Sequence, residues 1–195
     1  MPQYFEPEPA VASDRRTVRL ALPDATFDLV TDRGVFARDG VDPGTKLLLL
    51  EAPAPAPEGD LLDLGCGYGP MALTLARRSP GATVWAVDVN ARARELAAAN
   101  AEANGLGNVR VAAPEEVPAD VRFRTIWSNP PIRVGKAALH DLLRTWLGRL
   151  ADGGSAVLVV QKHLGSDSLA RWLAEQGWAV ERLRSRMSYR LLEVR

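Results

Sequence analysis

The sequence predicts an α/β protein: a mostly parallel sheet covered by helices on both faces. Three observations carry this. From residue 60 onward, β-type apolar runs alternate with stretches of helical period. Glycine- and proline-marked turns stand at the carboxyl ends of the strands, where open sheets of this kind bind ligands. The chain closes on two strand-like segments with no helix between them, which puts an antiparallel strand at or near one edge.

Taken in order, residues 1–15 are rich in Pro, Glu and Ala and read as an irregular arm. Residues 16–22 and 26–31 alternate apolar and polar side chains around Pro23-Asp24, the pattern of a hairpin. A short helix over 43–52 opens at Pro43, and the Pro/Ala-rich 52–59 reads as a stiff linker. Strands are expected at 60–64, 83–88, 109–112, 123–128 and 155–160, with helices at 70–78, 91–103, 136–150 and 167–176. In 136–150 the residues Leu139, Leu142, Leu143, Trp146, Leu147 and Leu150 form one apolar stripe. Asn104-Gly105 and Gln176-Gly177 supply helix stops. The closing strands fall at 178–183 and 188–194. Alternating strands and helices imply right-handed crossovers. Residues 1–52 are expected as an arm, hairpin and short helix packed on the core, and 53–195 as the ligand-binding part of what is one structural domain overall.

Composition narrows the function classes. The 195 residues are 47% hydrophobic, enough for a sizeable core, yet no apolar run approaches the ~18–20 residues of a membrane span. The opening MPQYFEPEPA has neither the basic nor the apolar part of a secretion signal. The single cysteine, Cys66, cannot form an internal disulfide, so a cytoplasmic setting is expected. No Cys/His cluster has metal-ligand spacing, and no metal is expected. The net charge of zero is unevenly spread. Residues 1–120 hold 11 Lys/Arg against 18 Asp/Glu, and 121–195 hold 13 against 6, a split compatible with a polyanion-facing side.

LLDLGCGYGP (61–70) ends a strand and opens a helix. Gly65, Gly67 and Gly69 allow tight turns and close approach of a ligand to the backbone, and Pro70 suits a first helical turn. Asp88, nineteen residues after Gly69 at the end of the next strand, is placed to accept the two hydroxyls of a ribose. A dinucleotide fold wants G-x-G-x-x-G before a pyrophosphate, but here the sixth position is Pro70 and Asp63 stands two residues before the first glycine. A carboxylate is unfavourable beside a pyrophosphate and favourable beside a sulfonium or ammonium. The nucleoside carrying those cations is S-adenosylmethionine. A nicotinamide-dependent oxidoreductase is disfavoured on the same two residues.

SNPPIR (128–133) leaves the fourth strand of the series. The Asn129 side chain offers a carbonyl acceptor, and the backbone carbonyls of Pro130 and Pro131 come without competing N–H donors. Two acceptors match the two hydrogens of a planar NH2 group and stabilise the positive charge that grows on nitrogen during attack on a methyl. Among lesser candidates, Arg133 and Lys136 follow at a helix start, where they can meet phosphate. Lys162 and His163 stand after the fifth strand on the same rim. The basic run RLRSRMSYR (182–190) lies in the last hairpin.

LDLGCGYGP, VDVN and SNPPIR together resemble the class I S-adenosylmethionine-dependent methyltransferases, a Rossmann-like fold. GVFARDGVDPGTKLLLL (34–50) is similar to the lead-in of their small-domain family, which includes the ribosomal RNA guanine-N2 methyltransferases. The resemblance implies a seven-stranded sheet of order 3-2-1-4-5-7-6, counted from the strand at 60–64, with the N-terminal hairpin as an extension. It implies Asp63, Gly65, Cys66, Gly67 and Gly69 around the cofactor, and Asp88 and Val89 at its ribose. It also puts Glu115 or a backbone carbonyl at its adenine, and Asn129-Pro130-Pro131-Ile132 on the target amine. The family pattern has an aromatic residue where Ile132 stands, so a flat acceptor needs another platform, for which Phe36 is the candidate. The reaction implied is N-methylation of a planar exocyclic amine, with guanine N2 of ribosomal RNA, free or in a ribosomal subunit, ranked first. Adenine N6 and a protein glutamine amide are the alternatives. A non-catalytic cofactor-binding module in ribosome assembly is the alternative of another class.

Overall fold

The computed structural model describes residues 10–195. Residues 1–9 of the expected arm lie outside the described residues, and 10–15 run without helix or strand. Strands β1 (Arg16–Ala21) and β2 (Thr26–Thr31) form the expected hairpin, closed by the Leu22 N–H to the Ala25 carbonyl at 2.8 Å. Alternation sends Leu20, Phe27 and Leu29 into the core. The cross-strand pair Arg19–Asp28 stays on the exposed face, joined through two hydrogen bonds of 2.7 and 2.9 Å.

Helix α1 (Pro43–Glu51) starts as expected at Pro43, capped by Asp42, whose carboxylate accepts the Thr45 N–H at 3.0 Å. Its Leu47, Leu48 and Leu49 are all buried. The stretch read as a stiff linker is anchored at its middle, although Pro53, Ala54 and Pro57 are exposed and β3 already starts at Glu58. Pro55 is buried, and the Ala56 N–H donates to Thr125 Oγ1 at 3.0 Å.

The central sheet comprises β3 (Glu58–Leu64), β4 (Gly81–Val87), β5 (Val109–Ala112), β6 (Phe123–Ser128), β7 (Leu150–Gln161), β8 (Val180–Arg186) and β9 (Tyr189–Val194). Their order is β5-β4-β3-β6-β7-β9-β8, which is the expected 3-2-1-4-5-7-6. β9 runs antiparallel to both its neighbours, and β5, β4, β3, β6 and β7 are mutually parallel. Successive side chains of the buried strands enter opposite layers. Leu61, Trp127 and Val157 join the hairpin, α1, α2 (Pro70–Arg78) and α3 (Ala91–Ala103). Leu62, Ile126 and Leu158 join α4 (Lys136–Leu147) and α5 (Ser166–Glu175).

β3 and β4 each begin two residues earlier than expected, at Glu58 and Gly81, and larger differences lie in the second half of the chain. The helix read over 136–150 stops at Leu147, and β7 begins at Leu150, well before residue 155. ADGG reads as a loop in sequence, but Gly153, at φ 71°, lets the strand kink rather than end. A Cβ at Gly154 would stand 2.8 Å from the Phe123 carbonyl, so the missing side chain is what lets β7 close on β6. The last hairpin turns through Met187 and Ser188, both with positive φ, and β8 extends to Arg186, beyond the expected residue 183. No helix among the described residues is long and apolar enough to cross a membrane.

One buried amide fastens the N-terminal hairpin to the sheet layer. Asn100 of α3 accepts the Val30 N–H at 2.8 Å and donates to the carbonyls of Val30 at 2.9 Å and Tyr68 at 2.8 Å. Asn100→Ala leaves three backbone groups unpaired, at ~1–3 kcal/mol for each buried one. The expected outcome is a loss of about 2–4 kcal/mol in urea unfolding with an unchanged denaturant slope.

Candidate active site

Strand order reverses at β3, between β4 and β6, so the carboxyl ends of these three strands open into one crevice. Here β3 runs into the glycine loop. Gly65 and Cys66 donate their N–H groups to the Val87 carbonyl at 2.8 and 3.0 Å, which ties the loop to the end of β4. Gly65 and Gly67 have left-handed backbones, with φ of 77° and 55°, and a Cβ at either would meet nothing within 4 Å. They leave room for a ligand to lie against the backbone. Gly69 serves a different purpose. It caps α2 at φ 95°, and a Cβ there would come within 3.0 Å of Leu73 and 3.4 Å of Ala97. It lets α2 and α3 pack, and it is not one of the residues that line the cavity described next.

A cavity of about 300 Å³ follows the loop, bordered by Gly65, Gly67, Asp88, Val89, Asn129 and Pro131, with Val35 and Phe36 on one side and Leu142 and Trp146 on the other. Pro114 closes its end. Glu115, expected there, is exposed in the 3₁₀ turn over 114–116, of which Pro114 is the residue that lines the cavity. The Asp88 carboxylate accepts the N–H groups of Gly67 and Asn90, both at 2.9 Å, so it stands fixed at the cavity wall.

Asp63 is fully buried beneath the loop rather than on the wall. One oxygen accepts the Ala72 N–H of α2 at 2.7 Å, and the other has no partner. Burial, reinforced by the nearby Asp88 charge, pushes its carboxyl up to about 8. Burial likewise raises Asp88, against the pull of its backbone hydrogen bonds. Burial also pushes up the Cys66 thiol, which lies in a small cavity of about 30 Å³ behind the loop and packs there as an inert group. An unpartnered buried acceptor and two glycines facing open space fit a cationic nucleoside such as S-adenosylmethionine.

β6 ends at Ser128, whose hydroxyl donates to the Leu64 carbonyl at 2.8 Å and holds the next residues against the glycine loop. Asn129 borders the 300 Å³ cavity and also a second one of about 230 Å³ on its other side. Pro130, Pro131, Ile132, Arg133 and Phe36 line this second cavity, together with Asp42, Gln161, Leu164 and Tyr189. The Asn129 amide nitrogen donates to Asp42 Oδ2 at 2.9 Å and Thr45 Oγ1 at 3.1 Å, and its carbonyl oxygen accepts no bond from the described residues. The proline carbonyls are less free than a donor-free backbone suggests. Pro130 accepts the Ile132 N–H at 2.8 Å and Pro131 the Val134 N–H at 3.1 Å, leaving one lone pair on each. Pro131, at φ −74° and ψ 75°, makes the first of these an inverse γ-turn.

Lys136 and Lys162 do not reach the second cavity. Lys136 borders a neighbouring groove with His140 and Leu139. Lys162 and His163 are exposed in a 3₁₀ turn whose flanks, Gln161 and Leu164, line the cavity instead. Asp42, Thr45, Gln161 and Tyr189 were not singled out in the sequence. Asp42 was readable as the cap preceding Pro43, but its partner lies 87 residues away. Tyr189 packs over Gly44, where an added Cβ would stand 2.5 Å from the ring. No cluster of three or more His, Cys, Asp or Glu among the described residues is placed to hold a metal ion.

The buried acids generate a pH prediction. Between the ordinary Asp range near 3.8 and about 8, the folded chain keeps a proton on Asp63 that the unfolded chain releases. Its contribution to stability is therefore full below that window and lost as pH rises through it. The stability of Asp63→Asn relative to wild type should rise from about pH 5 to about pH 9 in urea titrations without ligand.

The chain is 34% identical over 195 residues to the Bacillus subtilis protein YbxB, covering 98% of this chain and 97% of that one. It is 33% identical over 168 residues to ribosomal RNA small subunit methyltransferase C of Shewanella amazonensis, covering 84% of this chain and 49% of the relative. In three dimensions it resembles a T. thermophilus 16S rRNA N2 methyltransferase solved with AdoMet and guanosine. That likeness has a TM-score of 0.77 at 29% identity, over 95% of this chain and 52% of that one. The chain thus spans about half the length of these two ribosomal RNA enzymes. The family described as "Methyltransferase small domain" matches residues 26–193. A crevice at the switch point, a glycine loop backed by a buried carboxyl and an Asn-Pro-Pro turn between two cavities agree with that match, and the chain belongs to the methyltransferase small-domain family, as an S-adenosylmethionine-dependent methyltransferase.

Proposed function

We propose that the chain methylates an exocyclic amine of an RNA base, with guanine N2 of ribosomal RNA as the acceptor. The observation that carries this is the position of Asn129, the wall shared by two cavities, with its carbonyl oxygen uncommitted and its nitrogen already bonded. The larger cavity is read as the cofactor's. Gly65 and Gly67 lie along it, Asp88 receives the ribose hydroxyls beside Val89, and Val35, Leu142 and Trp146 flank a slot for the adenine, closed by Pro114. Asp63 lies behind the loop with one carboxyl oxygen unpartnered, and a sulfonium or ammonium nearby would favour its ionised form. The cofactor supplies an electrophilic methyl on a sulfonium. Asn129 Oδ1 and a remaining lone pair of Pro130 accept the two N–H bonds of the acceptor amine, aim its nitrogen at that methyl and stabilise the positive charge that develops. No side chain need act as base, because the extra proton can leave the methylated amine after transfer.

Two further features favour a base over an amide. Where the family pattern has an aromatic residue the chain has Ile132, but Phe36 and Tyr189 both line the acceptor cavity and offer flat faces. Arg133 stands at the same cavity, within reach of a phosphate. The relatives named as ribosomal RNA methyltransferases point to the same substrate. The base must be unpaired or flipped out to enter.

Labelled methyl from S-adenosylmethionine is expected in N2-methylguanosine after digestion of 16S rRNA or of assembled small subunits treated with the protein. Label only in N6-methyladenosine or only in protein glutamine would overturn the guanine assignment. No label anywhere, with the cofactor bound, would favour a non-catalytic role. Asn129→Ala should lower transfer on the order of 10²–10³-fold while calorimetry finds cofactor affinity nearly unchanged. Equal loss of both would remove Asn129 from its assigned place.

A further inference from the structure

We infer that Asp42 is a positioning residue for the transfer, fixing the Asn129 side-chain amide with its nitrogen inward and its carbonyl oxygen toward the acceptor. The inference rests on the reading of Asn129 given above. An asparagine amide has nearly the same shape when rotated by half a turn, but its chemistry inverts. In the inverted state an NH2 group would face the acceptor's NH2, donor against donor, and the site would repel the amine it has to hold.

Asp42 removes that ambiguity. Its Oδ2 serves as an acceptor, already taking the Thr45 N–H, and the group that meets it at 2.9 Å is the amide nitrogen of Asn129. Thr45 Oγ1, at 3.1 Å, takes the second hydrogen, and the orientation is fully determined. Asp42 is itself held from three directions. The same Oδ2 accepts the Thr45 N–H at 3.0 Å, Pro43 stiffens the next backbone step, and Gly44 leaves only enough room for the Tyr189 ring above it. Asp42 and Tyr189 also line the acceptor cavity, so the clamp sits beside the reacting amine rather than in a remote part of the fold.

Helix capping alone does not explain this arrangement. Serine caps as well as aspartate does, but its side chain is too short to reach Asn129. Asp42→Ser therefore keeps the cap and breaks the clamp, whereas Asp42→Asn keeps a carbonyl long enough for both. Three measurements distinguish the roles: the thermal midpoint, the affinity for S-adenosylmethionine, and single-turnover methyl transfer to 16S rRNA. A fourth, the Asn129 side-chain NH2 signals in ¹⁵N NMR, needs no acceptor. In Asp42→Ser the midpoint and cofactor affinity should stay near wild type, while transfer falls about 10–100-fold and the Asn129 NH2 protons shift and exchange faster with water. Asp42→Asn should recover most of the rate. Wild-type transfer or unmoved NH2 signals in Asp42→Ser would overturn the inference, as would a parallel fall in thermal midpoint and cofactor affinity. If wild type transfers nothing to rRNA, the substrate reading fails by itself, and the NH2 signals still decide the clamp.

Discussion

The reversal of strand order at β3 is the constraint on which the rest of the molecule depends. Right-handed crossovers keep to one face of a parallel sheet while strands are added in one direction and change face where the direction reverses, so at the reversal two neighbouring loops are forced apart. Here β3 has β4 on one side and β6 on the other, so the glycine loop and the Asn-Pro-Pro turn diverge from adjacent strand ends. The crevice therefore follows from topology rather than from any single side chain. Local bonds then keep the gap from closing. Gly65 and Cys66 bind back to Val87, Asp88 binds back to Gly67, and Ser128 binds across to Leu64. Each satisfies a polar group that would otherwise be stranded at a dry strand end.

The N-terminal segment belongs to this arrangement as much as the motif-bearing part does. Its hairpin and α1 fill the layer over Leu61, Trp127 and Val157, and its turn is held by Arg78, which bonds Asp24 at 2.7 and 2.9 Å and the Leu49 carbonyl at 2.9 Å. Phe36, in the connection between the hairpin and α1, borders both of the cavities that meet at Asn129. The uneven spread of charge along the chain is partly neutralised in three dimensions. Arg184 and Arg186 of the basic hairpin lie against Glu51, and Arg182 lies against Asp167. That hairpin is less a free cationic surface than its sequence suggests, while Arg133 retains its place at the acceptor cavity.

Much of the fold was legible because period and punctuation are local. The helices at 70–78 and 91–103 and the strands at 109–112 and 123–128 end at the expected residues, while the sheet order is the one implied by the family resemblance rather than by any local pattern. Spacing also shows which residues stand at strand ends, and that brings Gly65, Gly67, Asp88, Val89 and Asn129 to one cavity. It does not show which way a short turn faces. The turns at 114–116 and 162–164 each present a neighbour of the residue chosen for its charge, Pro114 for Glu115 and Gln161 or Leu164 for Lys162. Nor do local patterns reveal partners brought together by the fold. Asn129 meets Asp42 across 87 residues, and β7 begins early because two glycines bend a strand instead of ending it.

Gly44 shows how tightly the acceptor side is drawn. It sits in the first turn of a helix with ordinary backbone angles, where alanine would be the better helix former by about 1 kcal/mol. Yet one methyl there would stand 2.5 and 2.7 Å from the Tyr189 ring and 2.9 Å from Asp42 Oδ2. Any drift at this position has to be matched by the aromatic side chain on β9 and the carboxylate before α1. The start of α1 and a residue of β9 some 145 positions later are thereby fitted to one another.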